Sequence, residues 1–548
     1  TWLFAGGALK FGAGTGNVLN LNGSALLTNV GGIVLAGANT TFALTNVNGP
    51  SRNIILGTGG SISVGDTAGW GNNTLIISNQ TFVGTGASAV GNGSSNNILT
   101  LLGNSTLSFA AGLTIGTGAS LNNTVLVNGA SVWVTNSTTK STILVGNTAQ
   151  GALIITNGTV FADEFTVGSS GGASGSVWVQ NLGYLVVTNP NTLIVGSNAV
   201  GSLLVDAGGS VTDTTLVVGY DTGGTGTVTF LAGSTGVFTN PGATPAGRMV
   251  IGQSGLGSLI MSGGTVLANQ LLVTNNVLGG RTNSIFNFVG GTLTTSNATT
   301  GANSIASRLI IASNNNFSVN GTWFMDGGTN LFYSASTNAV GLGTVFIGNG
   351  VSNAAVNVGP LGVWWLGTNA ASLLNLTIGS GLATGNQLLI NDGIVTNVGN
   401  VIIGNTANQS IGNNLTVSNG GWFFSSAVTV GNAANASNNS YTVSQDGTGH
   451  TATVTTGRVS DVDYLTLSIT QSGTGAKTAT VEVKSGINNG ITISQEGTGN
   501  HTASIQNLMG SANNITISQS GAGSHEFNVI NTAGTTNSNN TITGVQSG

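Results

Sequence analysis

One short phrase returns five times towards the end of this chain. It limits the possible folds more than any other feature. It reads SQDGTG from Ser444, TQSGTG from Thr470, SQEGTG from Ser494, SQSGAG from Ser518 and VQSG from Val545. Its glutamines, Gln445, Gln471, Gln495, Gln519 and Gln546, step by 26, 24, 24 and 27 residues. A fixed period of this size marks a chain that stacks one supersecondary unit on the next, so that each unit touches mainly its neighbours.

A looser repeat precedes it. ILVGNTAQGALIITNGTVFADEFTVG from Ile143 returns as LIVGSNAVGSLLVDAGGSVTDTTLVVG from Leu193 and as MVIGQSGLGSLIMSGGTVLANQLLV from Met249. Each copy is a short strand closed by Gly, a loop, a strand, a Gly turn and a strand. The marker glycines include Gly146, Gly168, Gly196, Gly219 and Gly252, then Gly379, Gly404 and Gly431. Strand runs last four to six residues, and nothing sustains a 3.6-residue period. The expected fold is all-β: a parallel β-solenoid (β-helix) of about 20 or more coils. Residues 1–438 form its Gly/Asn/Thr-rich part. A boundary falls near Asn438, beyond which there is no Trp or Pro and all three His occur.

Composition agrees with stacking. Only 4% of residues are charged, against roughly 25% in ordinary soluble domains. Yet 39% are apolar, which argues against disorder. The net charge of −5 gives no basic footprint for nucleic acid. Without cysteine there is no disulfide scaffold, thiolate metal site or thiol nucleophile. No apolar run approaches 18 residues, so no membrane-spanning helix is expected.

Alignment of the five copies on the glutamine shows its surroundings. Tyr441, Leu467, Ile491, Ile515 and Ile542 stand four residues before it, and Val443, Ile469, Ile493, Ile517 and Gly544 two before. Period-2 alternation puts them on one face with the glutamine, while Thr and Ser occupy the other. A lone buried amide is costly, but amides stacked about 4.8 Å apart bond to one another. This strand, Gln-x-Gly-x-Gly turn and strand resembles the curlin repeat of bacterial curli amyloid fibres. The family's Gln, Asn and second Gln fall on Gln495, Asn500 and Gln506, although parity turns Asn507 rather than Gln506 inward. The resemblance covers residues 439–548, about 4.5 copies, and implies a functional amyloid-like filament in a biofilm matrix. Residues 1–438 more loosely resemble the β-strand repeats of autotransporter-type passengers, which implies a secreted, cell-surface location.

Other constellations are weaker. His450, Lys477, His501 and His525 align in one column at the turn exit. Stacked imidazoles suit a metal or a pH switch. Lys477 interrupts the column, however, and no carboxylate repeats beside it, so a solvated corner is expected and no metal or cofactor. Asp206, Asp213 and Asp221 form the densest acidic group, the place to look for the paired carboxylates of a polysaccharide-degrading β-helix. Aromatics gather at Trp323, Phe324, Phe332, Tyr333, Trp364 and Trp365, suited to sugars or to filling wide coils.

The expected function is a non-enzymatic structural subunit of an extracellular fibre or surface layer. Its partner is itself, head to tail. The axial contact would join Trp2, Leu3, Phe4, Leu9 and Phe11 to Thr541, Ile542 and Thr543 of the next copy. A monomeric adhesin that binds glycans or cell surfaces is the alternative.

Overall fold

A computed structural model describes residues 2–3, 5–12, 14–22, 27–45, 54–188, 192–240, 247–274 and 284–302. It also describes strand fragments between 308 and 366, then 373–405, 410–418, 421–430, 438–456, 466–483, 489–506, 512–530 and 540–548. Side chains of residues 294–344 and of several later positions lie outside that description. There are two compact units: Thr1–Phe286 with Gly290–Leu293, and Asn287–Val289 with Thr294–Gly548. Each is an all-β stack of parallel strands, a β-solenoid. About 14 turns are defined among the described residues, fewer than the 20 or more expected. Between 303 and 344 only strands are described, and these too pair in parallel, as Arg308–Ile311 does with Thr329–Phe332.

In the first unit each turn lays one strand on each of three sheets. Gln150–Thr156, Thr159–Ala162 and Glu164–Val167 make one turn. They pair in register with Ser174–Gln180, Tyr184–Val187 and Thr192–Val195 of the next. Alternation decides what goes inside. Leu75, Leu99, Val125, Leu153, Val177, Leu203, Val228 and Leu259 are successive register partners on the first sheet, and all are buried. Each such side chain contributes about 1.5–3 kcal/mol on burial. The marker glycines end the third strand of a turn. Gly146 has φ +70°, and a Cβ there would run into the Ser174 carbonyl of the coil above. Only glycine satisfies both demands.

The composition change near Asn438 coincides with a change of cross-section within the second unit. Before it, turns are three-sided: Trp422 and Phe423 continue the second sheet from Ile394 and Val395, and Val428–Val430 continue the third from Val401–Ile403. After it, Ser440–Val443 still stack on Asn414–Val417, and Thr455 and Thr456 on Thr429 and Val430. The middle strand has gone, and a Gly-x-Gly turn takes its place. The ladders therefore cross residue 438 while the coil narrows from three sheets to two. In the narrow part Gly497 has φ +110°, and a Cβ would strike the Gly473 carbonyl beneath it.

Candidate functional site

Among the described residues, the C-terminal coils hold a regular buried polar column. Gly490–Glu496 stacks on Thr466–Gln471 below and Asn514–Ser520 above, with the glutamines in register. Gln471 Nε2 donates to Gln445 Oε1, Gln495 to Gln471, Gln519 to Gln495 and Gln546 to Gln519, each at 2.8 Å. Gln471, Gln495 and Gln519 are fully buried. The second proton of each amide crosses to the facing sheet. Gln471 reaches Thr478 O at 3.2 Å, Gln495 reaches Thr502 O at 3.1 Å, and Gln519 reaches Glu526 O at 2.9 Å. Each glutamine thus binds neighbouring coils along the stack and clamps the two sheets across it. No second glutamine column forms here: Gln506 is exposed, and Asn500 is exposed and accepts from Ser524 N. Asn507 lies outside the described residues.

The His/Lys column departs from expectation. Lys477, His501 and His525 are successive register partners, but Lys477 and His501 are fully buried and His525 half-buried. They share the inward parity of Ala503 and Ile505, so this is an interior column and not a solvated corner. Lys477 Nζ donates to Gly473 O at 2.9 Å and Gly475 O at 3.2 Å, and His525 Nε2 contacts Gly521 O at 2.8 Å. Both reach back to the first glycine of their own turn, which explains why Lys and His exchange there. His501 titrates below the usual histidine range, chiefly because it is buried, with the Lys477 and His525 charges adding to the effect. The side chain of His450 lies outside the described residues; its backbone pairs with Lys477.

One set of residues was not foreseen. At the entry to the first strand a buried asparagine accepts from the coil before it. Asn97 Oδ1 takes protons from Asn73 N and Nδ2, and Asn123 Oδ1 from Asn97 N and Nδ2. Asn413 serves Asn386 in the same way, and Asn439 serves Asn413. Asn513 and Asn540 accept from the backbone N–H of Asn489 and Asn513. The signal was an Asn-Asn pair ahead of a strand: 72–73, 96–97, 122–123, 438–439, 488–489 and 539–540. The first Asn takes the left-handed turn, as at Asn72, Asn96, Asn122 and Asn438. In the coils between, glycines 151, 175, 201, 226 and 257 hold this corner.

The acidic group does not converge. Asp206 follows the first-sheet strand Val200–Val205, Asp213 ends the second-sheet strand, and Asp221 follows the third-sheet strand Thr215–Val218. They occupy three successive corners of one turn. Asp213 is buried and accepts from Leu193 N at 2.7 Å and Thr214 N at 2.6 Å, pinning the coil before it. Burial pushes its carboxyl up to about 8, against those backbone donors. Burial likewise pushes the Tyr441 hydroxyl up. Among the described residues no three His, Cys, Asp or Glu group together as a metal site would require.

Trp364 is fully buried as a core filler; the side chains of Trp323, Phe324, Phe332, Tyr333 and Trp365 lie outside the description. Among the described residues, outward aromatics occur in the first unit. Trp133 stacks on Phe161 at 3.7 Å, and Trp178 and Tyr184 are exposed on the coil that follows that of Phe161. Of the residues expected at the axial contact, Leu9 and Phe11 are half-buried, and Phe11 meets Phe42 at 5.0 Å. Thr541, Ile542 and Thr543 are exposed and pair with Asn514, Ile515 and Thr516. The side chains of Trp2, Leu3 and Phe4 lie outside the description. No protein-family model matches the sequence, and no curated protein matches it.

Proposed function

We propose that the chain is a structural subunit of an extracellular fibre or surface layer, assembled from copies of itself by continued coil stacking. The observation that carries this reading is the buried glutamine ladder. Gln471, Gln495, Gln519 and Gln546 each bond to the coil before them in one repeated geometry, so one coil is a template for the next. The residues of the solenoid are spent on coil-to-coil bonds, as filament proteins require, and the curlin-like repeats fit the same role. In this reading strand 8–11 of one copy meets strand 541–547 of another by strand addition. The reading includes no catalysis and no cofactor. Negative-stain microscopy of the intact chain should show filaments, and deletion of residues 1–11 should leave isolated particles. Filaments of equal length and number from the deletion would overturn the axial joint.

One observation favours a second reading, a monomeric adhesin. The exposed Trp133, stacked on a half-buried Phe161, with Trp178 and Tyr184 nearby in sequence, is suited to the apolar faces of sugars. Isolated particles that bind glycans through these residues would support it.

A further inference from the structure

The column of Lys477, His501 and His525 brings three groups that can carry positive charge into the interior of a two-sheet coil. His501 sits between the other two in register. Its ring lies 4.6 Å from that of His525, tilted by 49°. It is fully buried, and neither ring nitrogen has a hydrogen-bond partner. Lys477 differs, because its ammonium is held by the carbonyls of its own turn. The other charged groups of these strands do not compensate. Glu496 on the facing strand and Glu526 beside His525 are exposed, and Glu482 has the outward parity of Thr480. Facing strand 514–520 carries no ionisable side chain, and the side chains of Asp446 and His450 lie outside the description.

A proton on His501 would therefore put a cation in a buried interior, beside a lysine, with no protein acceptor. Such a group is among the costliest a core can hold. We propose that this column makes the C-terminal coils an acid-released element. Protonation of His501 opens the coils around residues 489–530, while coils 74–134 of the first unit, which contain no histidine, stay closed. The lowered titration of His501 agrees in sign. A histidine depressed in the folded state contributes stability above the unfolded value, about 6.5, and that stability is lost as pH falls through the folded value. The proposal concerns the stability of the coils themselves and does not depend on polymerisation.

Amide hydrogen exchange of the intact chain, corrected for intrinsic rates, tests it at pH 7.5 and pH 5. Protection across 490–506 should fall tenfold or more relative to 98–134 on acidification. His501→Asn, a neutral side chain, should remove most of that fall. Unchanged protection in the native chain, or an equal fall in the variant, would overturn the proposal. Should His501→Asn not fold, the ring titration of His501 in the native chain by NMR decides. A midpoint below that of free histidine supports the proposal, and one at or above it refutes it.

Discussion

Replacing Gln495 by Leu tests the ladder at its best-defined rung. The side chain is fully buried and makes four bonds. The two Nε2 protons are shared among Gln471 Oε1 at 2.8 Å, Thr502 O at 3.1 Å and Lys477 O at 3.2 Å, and Oε1 accepts from Gln519 Nε2 at 2.8 Å. Leucine has a similar volume, so no large cavity opens. It leaves Gln471 Oε1 without its donor and Gln519 Nε2 without one acceptor, both in the interior. Each stranded group costs about 1–3 kcal/mol, or about 2–6 kcal/mol for the two. The added apolar surface returns about 1 kcal/mol, leaving a loss of about 1–5 kcal/mol. The assay is hydrogen exchange of the 490–506 amides, where each tenfold loss of protection is about 1.4 kcal/mol. Gln506→Leu is the control, because Gln506 is exposed on an adjoining strand of the same coil. If Gln495→Leu costs no more than Gln506→Leu, the ladder does not hold these coils together.

The glycine corner gives a second test. A Cβ at Gly226 would collide with the Val195 carbonyl and Gly219 N, whereas one at Gly171 meets open space. Gly226→Ala should cost about 1–3 kcal/mol and Gly171→Ala nothing measurable, read by thermal unfolding of the two variants. Asp213 gives a pH dependence of opposite sign to His501. Its carboxyl is raised from 3.8 to about 8, so its contribution is present at low pH and lost as pH rises through 8. Exchange protection of strand 192–195 should fall between pH 7 and pH 9 in the native chain and not in Asp213→Asn.

The periods and the alternation made the solenoid readable from sequence. Gln471, Gln495 and Gln519 could be placed inside because they stand two residues after Ile469, Ile493 and Ile517, whereas Gln445 is half-buried and Gln546, two residues after Gly544, is exposed. The His/Lys column was misplaced because a turn of variable length separates it from the glutamine. Whether His501 points in or out depends on how the Gly-x-Gly turn is wound, which residue types do not disclose. The asparagine corner was hidden by its own abundance. In a chain rich in Asn, the pairs at 72–73 and 96–97 look like loop filler until the left-handed φ of the first shows what the second is for. Asp206, Asp213 and Asp221 looked close because sequence distance ignores corners: seven or eight residues along a three-sided coil lead to a different side. Trp364 fills the core, one of the two readings its sequence allows, while Trp133 lies outward, since an aromatic ring fits either face of a strand.

Electron cryo-microscopy of the purified, assembled chain tests the central claim most directly. The account expects filaments in which the coil spacing of about 4.8 Å continues across the joint between subunits, with parallel strands on both sides of it. Isolated particles under all conditions, or filaments whose subunits meet side by side with unpaired strand edges at their ends, would contradict it.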